Sequence, residues 1–203
     1  ASTMTQNLLL LWLAALPLMG SPGPATLSLA GIGSAYGFRA GIPYLVGIVA
    51  GTTGVLVLIA SGVTAIVLAQ PLLVRVLSVL AALYILYLAW KIGSAPVGAT
   101  ADPVAVVPAF GSGLVLALAN PKAFAAIGAV YTSQTLVPSD LIADTVAKCL
   151  ALVCAIVALN TVWLGFGSLF ARALRSPRWG RRINVGFALL LVASVGLALG
   201  GIV

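Results

Sequence analysis

Histidine is absent from this 203-residue sequence, and acidic residues nearly so, with 3 Asp or Glu against 10 Lys or Arg. The first absence excludes a Ser/His/Asp triad, a histidine-ligated metal and an imidazole proton relay. The scarcity of charge excludes more. Charged residues make up 6% of the chain, where a soluble domain carries about a quarter, and so few cannot cover a water-facing surface. The chain is read as an integral membrane protein, one transmembrane domain over 1–203 with no long polar segment left for a soluble one. Cys149 and Cys154 stand five apart in one apolar run, so on a helix they point in different directions and do not pair. The net charge of +7 does not indicate nucleic acid, which needs a basic stripe on a solvated surface. These charges sit at the ends of apolar runs.

Uncharged runs predict the spans. Residues 1–38 carry no charge and are interrupted by Pro22-Gly23-Pro24, which reads as one discontinuous helix, Asn7 to Met19 and Pro24 to Tyr36. Further spans run from about Ile42 to Ala69 and from Leu72 to Trp90. A connection from about Ile92 to Val106 holds the lone Asp102. The fourth span, about Pro108 to Tyr131, is broken at Asn120-Pro121-Lys122. A fifth covers about Leu141 to Phe170, and a basic connection with Arg172, Arg175, Arg178, Arg181 and Arg182 leads to the last, Ile183 to Leu199. Ala1, Ser2 and Thr3 read as a remnant ahead of Met4. No cleaved signal peptide is expected, since the apolar stretch Leu8 to Leu18 has no positive n-region.

Six spans divide as three plus three, and the first helix of each half is broken at proline. Because three is odd, the second half enters from the opposite side. This predicts an all-α fold of six transmembrane helices as two inverted 3+3 repeats, about 4–91 and 107–203, whose broken helices meet at the midplane. With the N-terminus outside, Arg39, Lys91 and the five arginines from 172 to 182 fall inside, against Arg75 and Lys148 outside. The positive-inside rule then places both termini outside.

Lys122 lies about 12 residues, or roughly 18 Å of helix rise, into its span. A charge at that depth costs at least about 2.5 kcal/mol, so it is expected to face a polar cavity and hold a ligand, or else to cap carbonyls of a neighbouring broken helix. Asn120 is a good N-cap and Pro121 suits the first helical position. Ser21 and Pro22 offer the same pairing in the first half, Gly23 allows close backbone approach and Pro24 restarts the helix. Two positive helix ends and one lysine suit a carboxylate. Thr26, Asn160 and the free carbonyls near Gly20 and Ala119 are the candidate acceptors for an amino group. Asp140, Asp144 and Lys148 read as a charge ladder at an interface. Glycines at 33, 37, 41, 47 and 51 allow close helix packing, within the chain or with a second copy. Tyr84, Tyr87 and Trp90 read as packing or anchoring residues.

The runs Ser21-Pro22-Gly23-Pro24-Ala25-Thr26-Leu27, Gly37-Phe38-Arg39-Ala40-Gly41, Ala82 to Leu88 and Asn120-Pro121-Lys122-Ala123, with Ile183-Asn184 and Gly186 after a basic loop, resemble the motifs of the lysine exporter superfamily. The resemblance is closest to its homoserine and threonine efflux (RhtB) type. It implies a six-helix inner-membrane exporter of amino acids, driven by the proton gradient and often dimeric. Two departures stand out. Ala25 and Asn160 occupy positions where relatives often carry an acid, which leaves Lys122 as the one titratable group at depth apart from tyrosine and cysteine side chains.

The sequence thus predicts a secondary transporter, not an enzyme, that exports small neutral amino acids or related carboxylates by alternating access. Lys122, Asn120, Ser21, Gly23, Thr26 and Asn160 would bind substrate, and Pro22, Pro24 and Pro121 would shape the breaks. No cofactor, metal or catalytic residue is expected. The partners are a small molecule, the lipid bilayer and a homodimer mate. A divalent-cation exporter lacks carboxylate and histidine ligands. A membrane thiol-disulfide carrier would need a cysteine beside each break.

Overall fold

Prolines and glycines set the helix boundaries. A proline at the first helical position has its ring preset to helical φ and lacks only an N–H that would have had no partner there. In the computed structural model, which describes residues 2–63, 69–94, 107–173 and 177–200, four helices begin at a proline. The described helices are α1 (Ser2–Gly20), α2 (Pro24–Tyr36), α3 (Phe38–Ala60), α4 (Pro71–Gly93), α5 (Phe110–Leu118), α6 (Pro121–Ser133), α7 (Leu141–Ala173) and α8 (Pro177–Gly200). No strand occurs among the described residues. Gly37 joins α2 to α3 with φ +86, a left-handed conformation that a side chain would resist.

The breaks fall where the sequence places them, at 21–23 and 119–120. The helix of the second run, α3, ends at Ala60, where Ser61 and Gly62 turn the chain, Gly62 with φ +76, and the rest of the predicted span, 64–68, lies outside the described residues. The last helix starts at Pro177 rather than Ile183, so Arg178, Arg181 and Arg182 stand on its first turns, with Arg182 lying 5.0 Å over the Trp179 ring. Asp102 with most of its connection and Arg175 also lie outside the described residues.

Among the described residues, Thr3–Gly20, Phe38–Ala60 and Leu141–Phe170 are long and apolar enough to cross a bilayer. The pair α5 and α6, bent by 63° at its break, forms a fourth such stretch when taken together. Their outer faces are apolar, as hydrocarbon requires: Leu9, Leu13 and Leu16 on α1 and Leu150, Val162 and Leu169 on α7 are exposed.

At the centre lies α2, buried at every position from Pro24 to Gly33. A helix apolar all round belongs inside, and α2 packs on α3, α4, α5, α7 and α8. Lipid offers no hydrophobic drive for helix association, so close approach must come from small residues. A β-carbon at Gly167 would strike the backbone of Ala30, and one at Gly33 the backbone of Leu164, which locks α2 on α7. Reciprocally, Gly113 meets the Tyr44 carbonyl and Gly47 the Phe110 carbonyl, locking α3 on α5. The glycines at 33, 41, 47 and 51 therefore serve packing inside the chain. Polar ties join α2 to other neighbours: buried Tyr44 of α3 donates to Ser28 Oγ at 2.9 Å, Ser28 donates to the Ala25 carbonyl of its own helix at 2.8 Å, and Ser34 donates to Asn184 Oδ1 on α8 at 2.7 Å.

Gly113→Val and Gly167→Val should each cost at least about 1–3 kcal/mol through overpacking, whereas Gly128→Ala, with open space around its β-carbon, should be near neutral. Thermal unfolding of the detergent-solubilised variants would check the contrast; equal melting temperatures for all three would refute the glycine locks.

Candidate functional site

The two breaks lie side by side. Lys122, on the first turn of α6, extends its ammonium to the far break, where Nζ donates to the Ser21 carbonyl and, at 3.3 Å, to the Pro22 carbonyl. Gly23 makes this reach feasible, since a β-carbon there would come within 2.5 Å of Lys122 Cδ. Of the two roles the sequence allowed Lys122, the structure displays the carbonyl cap. The choice is physical: the end of α1 presents a negative dipole and unpaired carbonyls, and the ammonium is the charge that meets them. It has three donors, of which the two carbonyls take two.

Other groups close the same helix end. Trp163 Nε1 donates to the Gly20 carbonyl at 3.0 Å, and Ser21 Oγ to the Leu18 carbonyl at 3.1 Å. The Gly20 carbonyl, expected as an acceptor for substrate, is thus engaged by α7. Thr26 is also committed. Its hydroxyl accepts from Gly23 N at 2.9 Å and lies 3.2–3.3 Å from the Gly23 and Ser21 carbonyls, so it stitches the turn into α2. At the second break Asn120 behaves as the predicted N-cap, accepting from Lys122 N at 3.2 Å, while its own carbonyl takes Ala123 N at 3.0 Å.

A cavity of about 40 Å³ opens between the breaks, lined by polar Thr26, Thr52, Asn120, Lys122 and Asn160 and by apolar neighbours that include Met19, Ile127, Ile156 and Leu159. Gly23 also lines it, whereas Ser21 meets the site through its carbonyl on Lys122. Pro22, Pro24 and Pro121 stand at the breaks themselves. Such a volume holds only a few waters. Asn160 is buried and donates Nδ2 to the Ile156 carbonyl at 2.8 Å, which leaves Oδ1 as its acceptor. Thr52, from the middle of α3, is the lining residue that sequence reasoning missed. A threonine in an uncharged run gives no signal of its own; its place one residue after Gly51 on a packed helix face was the available clue.

Asp144 and Lys148 differ from expectation in one respect. They form the i,i+4 ion pair the sequence predicts, at 2.8 Å, but it is buried. Asp144 Oδ1 accepts from Leu136 N and Val137 N at 2.6 and 3.0 Å, and Lys148 lies 4.4 Å over the Tyr131 ring. The pair clamps the α6–α7 connection and does not line the cavity. Tyr84, Tyr87 and Trp90 stack along α4, with Tyr84 donating to the Ser112 carbonyl at 2.9 Å.

Comparison with known proteins places these features in a family. Residues 16–200 match the LysE type translocators. The cysteine/O-acetylserine efflux protein of Salmonella typhimurium (strain LT2) is 33% identical over 176 residues, 85% of this chain and 87% of the relative. The protein of that name in Escherichia coli (strain K12) is 30% identical over 194 residues, 93% and 96% of the two chains. No solved structure matches the chain.

Lys122→Met should leave the Pro22 carbonyl unpaired and the Ser21 carbonyl with only the long Thr26 contact, at a cost of about 1–3 kcal/mol, and Gly23→Ala should displace the lysine with a loss of similar size. Detergent melting curves would register both. Unaltered stability in Lys122→Met would mean that the ammonium does not hold the break.

Proposed function

The chain belongs to the LysE type translocators, which are transporters and not enzymes, and from that premise we propose that it exports small neutral amino acids, cysteine and O-acetylserine foremost, across the inner membrane. The observation that carries the reading is the junction of the two broken helices, where Lys122, the start of α2 and a small polar cavity adjoin. The substrate carboxylate takes the third donor of the Lys122 ammonium, together with the first-turn N–H groups of α2, which have no intrahelical acceptor. Asn120 Nδ2 adds a donor, since the Asn120 oxygen is spent on the cap. Asn160 Oδ1 receives the amino group.

A part of the helix contacts is consistent with two repeated halves, although the contacts of α2 with α3, α4 and α8 have no counterpart among the described residues. Exchanging α1, α2, α3 and α4 for α5, α6, α7 and α8 turns the α1–α6 contact into α2–α5, α2–α7 into α3–α6, and α3–α5 into α1–α7, and all six are present. The α3–α7 and α4–α8 contacts map onto themselves. Lys122 then bridges the two halves. A cavity of 40 Å³ is too tight for an amino acid to enter unless the halves part, which is what alternating access requires. A carboxylate competing for the ammonium weakens its hold on the Ser21 and Pro22 carbonyls and couples binding to that parting. With Ala25 and Asn160 where relatives often carry acids, proton coupling falls to Lys122. Both termini lie outside, with Arg39, Lys91, Arg178, Arg181 and Arg182 at the cytoplasmic face.

The divalent-cation alternative is disfavoured by the donor set: the cavity lining contains no carboxylate, thiol or histidine. Counterflow of labelled amino acids in proteoliposomes, with and without an imposed pH gradient, tests the proposal. Wild type should carry cysteine and respond to the gradient, and Lys122→Met should lose at least about ten-fold in kcat/KM, the loss expected for a charge-assisted hydrogen bond. Flux of a divalent metal with none of any amino acid would reverse the assignment.

A further inference from the structure

The cavity's polar side chains can be sorted by the hydrogen bonds they already make. Thr26 Oγ1 is bound on three sides by the turn into α2, and Asn120 Oδ1 is taken by Lys122 N. Lys122 has no acceptor to offer. Two acceptors are left in the lining: Asn160 Oδ1, whose orientation is fixed by its Nδ2 bond to the Ile156 carbonyl, and the Thr52 hydroxyl. Among the described residues neither has a hydrogen-bond partner, although Thr52 is only 8% exposed and Asn160 only 7%. Both oxygens remain accessible rather than sealed, since among the described residues the fully buried side-chain polar atom without a partner is Asn184 Nδ2, and an unpaired oxygen on a residue that lines the cavity is free to accept from water or a ligand. A mid-helix threonine could turn back to a carbonyl of its own preceding turn; Thr52 does not.

We infer that Thr52 is a specificity-determining residue, which together with Asn160 accepts the substrate's ammonium group and so selects amino acids over their des-amino counterparts. This rests on the export reading above. The chemistry fits a site with no carboxylate in its lining. Lys122 holds the anionic end of a zwitterion, and the cationic end needs neutral acceptors, because the helix-end carbonyls of Gly20, Ser21 and Pro22 are already occupied by Trp163, Lys122 and Thr26. The two acceptors come from α3 and α7, which touch each other and belong to different halves. An ammonium seated between them is therefore read by both halves at once. A substrate lacking it leaves both groups buried and unpaired, and such sites reject the analogue more strongly than an apolar pocket could.

The test is proteoliposome counterflow with two pairs, L-cysteine against 3-mercaptopropionate and L-alanine against propionate, for wild type, Thr52→Val and Thr52→Ser. Thr52→Val keeps the shape and removes the hydroxyl. It should raise the amino-acid KM about ten-fold or more, as expected for loss of a hydrogen bond to a charged group, with little change for the des-amino partner. Thr52→Ser should recover most of the lost discrimination. The ratio within each pair does not depend on how much protein folds, so reduced expression of a variant leaves the result interpretable. An unchanged ratio in Thr52→Val, or an equal loss for both members of a pair, would overturn the role of Thr52 while leaving export standing. Wild type that carries neither amino acid would overturn both.

Discussion

One cation at the end of one helix organises the centre of this protein. The carboxyl end of α1 stops against the start of α2, where the carbonyls of Leu18, Gly20, Ser21 and Pro22 cannot all continue the helical ladder. Left bare, each such carbonyl would lack a partner wherever water is excluded from the break. The chain satisfies them with side chains brought from elsewhere: Ser21 locally, Thr26 from the next turn, Trp163 from α7 and Lys122 from α6. Lys122 matters most, because its own burial is tolerable only against such acceptors. The lysine and the helix end are each costly alone, and together they form a contact that ties one break to the other.

Everything around this contact is built to let backbones come close. Gly23 clears the path of the lysine stem, and the glycine locks of α2 on α7 and α3 on α5 draw together the helices that wall the cavity. Thr52 and Asn160 reach one small space because α3 and α7 themselves pack against each other. With α2 buried along ten successive residues, the site's geometry is set by packed helices rather than by a surface loop. The buried Asp144–Lys148 pair is kept apart from it, clamping a connection by accepting two backbone N–H groups.

Much of this was legible in the sequence where local chemistry decides the outcome. Pro22-Gly23-Pro24 and Asn120-Pro121 fix helix ends through φ and capping, and both breaks fell at those residues. The depth of Lys122 in its uncharged run predicts a polar partner, and the ammonium is found on two carbonyls. Which partner it takes could not be read, because the carbonyls of Ser21 and Pro22 belong to a segment about a hundred residues away. Thr26 looked like a ligand group because its hydroxyl is an acceptor, yet the turn it follows consumes it. Thr52 was invisible for the opposite reason: in an uncharged run a threonine has no periodicity signal, and only the approach of α7 and the breaks gives its hydroxyl a cavity to face. The helix α3 ends at Ala60 beside a left-handed glycine, Gly62, which hydropathy does not register.

The missing acids acquire a meaning from this arrangement. A carboxylate at position 25 or 160 would stand in the lining that also holds the Lys122 ammonium, and the two would pair. Such a pair would draw the lysine away from the α1 carbonyls or leave it with less charge to offer a substrate. Alanine at 25 and an amide at 160 avoid that competition. In the proposed reading they keep one positive group and the start of α2 for an anion, since the first N–H groups of α6 are taken by Asn120, and they leave the opposite pole of the site to neutral oxygen acceptors. On the export reading proposed above, charge complementarity would be fulfilled when a zwitterion arrives with its own carboxylate and ammonium correctly spaced, and the shortage of acidic residues along the whole chain would become, at this point, a condition for recognising the substrate.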